Sequence, residues 1–262
     1  MHLGQTEQML TTDDLFREYY FSKPGYVGGT TQFHMLCDAY ITRGSRILEI
    51  GPGPSNSTSS HLAELGTLVG LDVSNEIHSN SALSEIHVYD GLQFPFEDKS
   101  FDACVSDYVI EHIPRPELHF KEVARILRPG GSYCFRTPNL WHYVTLFSKV
   151  SPHTVHIYLS SRLRSLESAA HDPYPTVYLS NTPRAVRKLC AKARMDVHVL
   201  QLVEKEPSYG RAHVLLFYPM MCYERIVNSS DVLAGIRVNI FAVVRKPFSV
   251  EWNENRRRTD ER

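Results

Sequence analysis

Arg46-Ile47-Leu48-Glu49-Ile50-Gly51-Pro52-Gly53-Pro54-Ser55 is a short apolar run that breaks on a glycine turn, and its reading decides the fold. The apolar residues up to Ile50 suit a buried strand, and glycine at its end lets the backbone turn sharply and approach a ligand closely. Two glycines alone are a weak signal. A dinucleotide turn of the form GxGxxG needs glycine at position 56, where Asn56 stands, and the Gly-Lys-Ser/Thr of a phosphate-cradling loop is absent. The turn therefore suits a nucleoside ligand that carries no pyrophosphate.

Outward from this turn the chain alternates. Towards the C-terminus a helix around Thr58–Leu65 stops at Gly66, and strands follow at Leu68–Leu71, Ile86–Tyr89 and Asp102–Ser106. Phe120, Val123, Ala124 and Leu127 share a helix face that Pro129-Gly130-Gly131 closes, ahead of a fifth strand at Ser132–Thr137. Thr182-Pro183 starts a further helix, and Val197–Val203 and Val238–Val244 are the last strands. Strands alternating with helices imply βαβ crossovers and a parallel sheet. Towards the N-terminus, residues 12–40 read as two helices around a glycine break. The expected organisation is a helical lid at 1–45, a core domain at 46–250 and a charged tail at 251–262. Two insertions interrupt the core domain, a cap at 139–181 after the fifth strand and an apolar segment at 205–236. Core closure is the expected role of the second, with a pocket wall or a homodimer face as the alternatives.

Acidic residues end the second and third strands. Asp72 can accept hydrogen bonds from paired ribose hydroxyls, and Asp90 from an exocyclic adenine amine. Both lie where open α/β sheets bind ligands, at the carboxyl ends of parallel strands.

Taken in order, these elements resemble the class I S-adenosylmethionine-dependent methyltransferases, in particular their small-molecule group. The matching residues are Ile47–Gly53, Val69-Gly70-Leu71-Asp72, Asp90-Gly91 with Phe94-Pro95-Phe96, Ser100-Phe101-Asp102, Glu111-His112-Ile113 and Arg125–Gly131. They cover roughly residues 45–137, with Ser55 where the family usually has a third glycine. The resemblance implies a doubly wound α/β fold with a mostly parallel seven-stranded sheet that includes an antiparallel edge strand. It implies S-adenosylmethionine as cofactor. Glu49 would lie near the methionyl amine, with Gly51, Gly53 and Ser55 beneath the cofactor. Asp72 would hold the ribose, Asp90 and Gly91 the adenine, and Ser106 and Asp107 the sulfonium end. Tyr19, Tyr20 and Tyr26 would belong to the lid.

Methyl transfer to a hydroxyl also calls for a general base, most often histidine at neutral pH. The candidates are His112 in the Glu-His pattern, and His142, His156 and His171 in the cap, which also holds Tyr143, Tyr158, Tyr174 and Tyr178. His153 and His156 form half of a metal motif with no carboxylate at helical spacing, so no metal is expected. The expected function is methyl transfer to a small-molecule or biosynthetic-intermediate acceptor, on oxygen. The alternatives are a cyclase-like enzyme that binds the cofactor without transferring methyl, and a non-catalytic binding partner.

Bulk properties narrow the field. The 262 residues carry 28 basic and 29 acidic side chains, a net charge of -1 that argues against a broad nucleic-acid footprint. Arg256-Arg257-Arg258 lies among acids and reads as a solvated tail. Five scattered cysteines make no CxxC pair, the N-terminus lacks the pattern of a signal peptide, and Val214–Cys222 is too short to span a bilayer. A cytoplasmic setting is expected, with no transmembrane segment.

Overall fold

The computed structural model describes residues 11–150, 175–207, 210 and 213–248. Residues 151–174 of the expected cap and the charged tail lie outside the described residues.

Seven strands form one sheet: β1 Ser45–Ile50, β2 Gly66–Asp72, β3 Glu85–Val88, β4 Phe101–Asp107, β5 Leu127–Pro138, β6 Asp196–Val203 and β7 Asn239–Arg245. Their order is β3-β2-β1-β4-β5-β7-β6. The first five pair in parallel, and β7 runs antiparallel to both β5 and β6. This is the doubly wound, mostly parallel sheet expected from the alternation. Strand order reverses on either side of β1, so the ligand crevice opens above the carboxyl ends of β1 and β4.

The two-residue period of each strand divides the core. Leu48, Ile50, Val69, Leu71, Cys104 and Tyr133 face one layer, where Phe120, Val123 and Ile126 of α4 (Pro116–Ile126) pack. Val186 and Leu189 of α6 (Pro183–Lys192) complete that layer. Ile47, Leu68, Ala103, Val105 and Cys134 face the other side, against Phe33 and Cys37 of α2 (Gly29–Tyr40) and Leu62 and Leu65 of α3 (Ser57–Leu65). Both layers are apolar and buried, so they set the register of the sheet: a one-residue slip would exchange the faces.

Several boundaries differ from the sequence reading. Gly66 does not end α3 in a left-handed turn; it is extended at φ 177° and begins β2. A Cβ there would stand 2.0 Å from the Ser45 carbonyl oxygen, so close strand packing is what requires glycine. Pro129-Gly130-Gly131 does not separate α4 from β5. The strand starts at Leu127, and the turn residues form an irregularity in its pairing with β4 between Phe101 and Ala103. The antiparallel strand is not the edge strand either. β7 is inserted between β5 and β6, which leaves β6 at the edge.

The second insertion holds a helix, α7 (Val214–Asn228), with Pro219 inside it. Its Phe217 packs with Leu15, Phe16 and Tyr20 in a third, smaller core. Leu15 and Phe16 come from α1 (Thr12–Phe16), and Tyr20 from the π-helical turn Arg17–Phe21 that follows. Leu215, Leu216, Tyr218 and Ile226 are exposed. The apolar segment therefore closes a small core with the N-terminal helical residues and leaves the main core untouched, because one face of an amphipathic helix can serve only one layer. α5 (Tyr143–Val150) follows β5. No helix among the described residues is long and apolar enough to cross a membrane.

Candidate functional site

The glycine turn sits at the mouth of the crevice. Gly51 adopts φ +68° and its amide donates to the Leu71 carbonyl at 2.8 Å. Gly53 adopts φ +60°, and a Cβ added there would meet nothing within 4 Å. Space is open above Gly53, whereas the Val109 methyls close over Gly51, 2.7 Å from where its Cβ would stand. Asn56, at the place of the missing third glycine, holds the turn together. Its side chain caps α3 by accepting from the Ser59 amide, and donates to the carbonyls of Pro52 and Pro54.

The carboxylates at the strand ends are placed differently from one another. Asp72 is buried; Oδ2 accepts from the Gly53 amide and Oδ1 from the Ser74 amide, each at 2.9 Å. Asp90 is exposed and accepts from the Leu92 amide, beside Gly91 at φ +80°. Glu49 is 2% exposed, and its Oε2 has no hydrogen-bond partner. Burial pushes its carboxyl up to about 8.

Asp107 ends β4 and is held by Arg136 of β5, which donates to both carboxylate oxygens and also reaches Thr30. Thr58 donates to the same carboxylate at 2.8 Å. The Arg136 guanidinium lies over the rings of Phe33 and Tyr108. Planar donors that fork onto both carboxylate oxygens fix the group's orientation as well as its charge. Arg136 and Thr58 escaped the sequence reading, although a charged residue near the end of a buried strand was a signal that it needed a partner.

Other expected site residues turn elsewhere. Ser106 is fully buried with its hydroxyl 2.6 Å from that of Tyr133, which also contacts His119; it faces the core layer under the crevice. Ser55 is exposed and bonded to the Ser79 carbonyl and Ser81 amide, so it pins the neighbouring loop. Tyr26 donates to Glu206 at 2.7 Å and packs against Tyr20 and Phe21. Together with Tyr20, which donates to the buried Glu224, it ties the N-terminal helical residues to the segment that follows β6.

Of the candidate bases, His112 is partly buried with Nδ1 3.3 Å from the Pro175 carbonyl oxygen. Its neighbour Glu111 is buried and pushed up to about 7 by that burial, accepts from Thr137, and offers its carbonyl to the Val177 and Tyr178 amides. The Glu-His pair thus anchors residues 175–178. His142 is buried after β5, among Glu204, Tyr143 and Tyr223. His153, His156 and His171 lie outside the described residues.

Glu49, Gly51, Gly53, Asp72 and Asp107 thus gather at the carboxyl ends of β1, β2 and β4, with Asp90 and Gly91 beyond β3. The buried, unpartnered Glu49 oxygen and the open space over Gly53 fit an amine-bearing nucleoside ligand.

Comparison with known proteins agrees with this geometry. Residues 48–135 match the family model described as a methyltransferase domain. A demethylmenaquinone methyltransferase of Staphylococcus haemolyticus is 29% identical over 108 residues, covering 37% of this chain and 45% of that protein. A fatty-acid O-methyltransferase of Mycolicibacterium smegmatis is 32% identical over 112 residues, covering 39% and 40%. The chain thus spans less than half the length of either relative. The solved structure of an S-adenosylmethionine-dependent methyltransferase from Mesorhizobium loti superposes with a TM-score of 0.53 at 13% identity. That match covers 83% of this chain and 98% of the other, a likeness of fold alone. Motifs, sheet and family model meet in one segment: residues 48–135 match a methyltransferase domain.

Proposed function

We propose that this chain transfers a methyl group from S-adenosylmethionine to an oxygen of a small-molecule acceptor. The observation that carries the reading is the Glu49 carboxyl, buried with one oxygen unpartnered beside a glycine turn that is open above Gly53. An unsatisfied buried acceptor is costly, and a ligand's ammonium would relieve it. The fatty-acid O-methyltransferase relative supports oxygen as the target atom.

When bound, the cofactor supplies an electrophilic methyl on a sulfonium, so the protein's share of the work is to bind, align and exclude water. Glu49 receives the amine. The Gly51–Gly53 backbone passes beneath the amino-acid part, Asp72 accepts from the ribose hydroxyls, and Asp90 with Gly91 borders the adenine. Asp107, fixed by Arg136, sets the negative charge nearest the sulfonium. The cap over residues 139–181 selects the acceptor.

Calorimetry with S-adenosylmethionine, S-adenosylhomocysteine and NAD tests the cofactor assignment. Binding of the first two and not the third is expected, and no binding of either adenosyl ligand at millimolar concentration overturns it. Incubating extracts with methyl-labelled cofactor then tests transfer. A labelled product with equimolar S-adenosylhomocysteine is expected; bound cofactor that is never demethylated would favour an enzyme that uses the scaffold without methyl transfer.

A further inference from the structure

Beside Asp107, α2 and α3 meet through a run of polar side chains. His34 lies on α2, one turn after Thr30. Its Nε2 is 3.1 Å from the hydroxyl of Thr58, on the first turn of α3, and that hydroxyl reaches Asp107 Oδ2 at 2.8 Å. Thr30 accepts from Arg136 at 3.1 Å, and Arg136 forks onto the same carboxylate. Both holders of Asp107 are therefore backed by α2, through side chains that share a helix face. The His34 ring stacks on that of His61 from α3, with centroids 4.4 Å apart and planes 4° from parallel. His61 Nε2 is 2.9 Å from Asp38 Oδ1, on α2 again.

The direction of each hydrogen bond follows from its acceptor. A carboxylate only accepts, so the single hydroxyl proton of Thr58 goes to Asp107. The Thr58 oxygen is left to accept, and His34 must supply the N–H from Nε2. The chain thus runs one way, from the His34 N–H through the Thr58 hydroxyl to Asp107.

We infer that His34 is a positioning residue for the sulfonium end of the cofactor: through Thr58 it holds the Asp107 carboxylate in place, and a proton gained by His34 weakens the preference for S-adenosylmethionine over S-adenosylhomocysteine. The inference rests on the methyltransferase reading above. The two ligands share the adenine, the ribose and the amino-acid end, and differ in the methyl group and the charge on sulfur. Glu49, Asp72 and Asp90 act alike on both, so the ratio of the two affinities isolates the groups nearest the sulfur.

Burial, then the neighbouring His61 and Arg136, hold the His34 imidazole below the usual histidine range, against the opposite pull of Asp107 and Asp38. At neutral pH the ring is therefore an uncharged N–H donor. As pH falls below the usual histidine value of about 6.5, a proton arrives, and a positive charge then stands one hydroxyl away from Asp107. Affinity for the sulfonium should drop there, while affinity for the uncharged sulfur changes little.

Four variants test this. His34→Gln keeps an N–H donor but cannot take up a proton, and His34→Leu keeps bulk without the donor. Thr58→Ser keeps the hydroxyl, and Thr58→Val removes it at similar volume. Calorimetry with both adenosyl ligands at pH 5.5 and 7.5 gives the ratio of dissociation constants. In the parent, the preference for S-adenosylmethionine should shrink by about fivefold at the lower pH. His34→Gln should keep the ratio flat between the two. At pH 7.5, Thr58→Val should bind S-adenosylmethionine about tenfold more weakly and His34→Leu about threefold, with smaller losses for S-adenosylhomocysteine. Thr58→Ser and His34→Gln should restore the parent's affinity at that pH. Nitrogen-15 spectra of histidine-labelled protein, with His34 assigned by its loss in the Gln variant, report the tautomer without any ligand. A proton on Nε2 is expected, and a proton on Nδ1 overturns the inference. A ratio that ignores pH in the parent, or still shifts in His34→Gln, overturns it as well. Melting curves identify any variant that has lost its fold, and the Gln and Ser variants, which keep the hydrogen bonds, carry the test if the apolar ones do not fold. A parent that binds both ligands with a constant ratio removes this inference alone; a parent that binds neither removes the methyltransferase reading beneath it.

Discussion

The Gly53 amide donates to Asp72 Oδ2 across 2.9 Å, so the carboxylate at the end of β2 fixes the turn at the end of β1. Two neighbouring parallel strands are cross-tied at the mouth of the crevice. A group expected to hold a ribose also shapes the loop beneath it. Asp72→Asn should consequently act twice. Cofactor affinity should fall by about 2–3 kcal/mol, as when a hydrogen bond to a charged group is lost. The denaturant midpoint of the ligand-free protein should fall as well. Calorimetry and chemical denaturation read the two effects separately, and an unchanged midpoint would mean that the turn holds itself.

Gly51 and Gly53 should respond differently to alanine. Both have positive φ, which costs an L-residue roughly 1–2 kcal/mol. At Gly51 the new methyl also collides with Val109, so stability should suffer more there. At Gly53 the methyl enters open space, and cofactor affinity should fall more than stability does. Melting curves with and without S-adenosylhomocysteine rank the pair.

Burial raises Glu49 to about 8, Glu204 to about 8 and Glu111 to about 7. Each holds a proton in the folded state that an unfolded glutamate releases near its usual value of about 4.3. The folded protein thus binds more protons in this window, and its stability falls as pH rises towards 8. His119 and His142, lowered to about 4, act in the opposite sense below about 6.5, where unfolded histidine takes up protons. Ligand-free protein should therefore lose stability between pH 6.5 and pH 8.5, where the histidine effect has ended and the glutamates still hold their protons. Glu49→Gln should reduce that weakening, and S-adenosylmethionine should reduce it in the parent by pairing its ammonium with the carboxylate. Denaturant midpoints at pH 6.5 and 8.5 check both statements.

Arg136 and Asp107 are both largely buried. Removing one partner of such a pair leaves a buried charge, so Arg136→Met should cost about 3–5 kcal/mol. Adding Asp107→Asn should recover part of the loss, since it removes the stranded charge. A double-mutant cycle by denaturation measures the coupling, and strict additivity would refute it.

Much of the cofactor end of the molecule was legible because its signals are local. Ile47–Ile50 next to Gly51, and Leu71 next to Asp72, announce a strand, its end and its ligand-facing residue within a few positions. What escaped depends on pairs distant in sequence. Arg136 meets Asp107 across 29 residues, Glu204 meets His142 across 62, and Tyr20 meets Glu224 across 204. No spacing rule links such positions; the sheet order brings them together. Ser106 was misplaced for a related reason. Strand alternation turns Asp107 towards Arg136 and Ser106 towards the core, and the sequence does not mark which of two adjacent polar residues faces inward.

The position of β7 has a consequence for how the chain reaches this state. Residues 239–245 lie between strands formed by residues 127–138 and 196–203. Until they have been synthesised, β5 and β6 have no hydrogen-bonded link, and both expose unpaired backbone to other chains. Every earlier stretch can collapse around β1–β4 as it emerges, but the last third of the sheet must wait for a late strand to slide into a gap between two others. Non-local closure of this kind is slow and leaves intermediates open to aggregation. Substitutions in Ile240–Val244 should therefore lower soluble yield out of proportion to their effect on the melting temperature of whatever protein does fold.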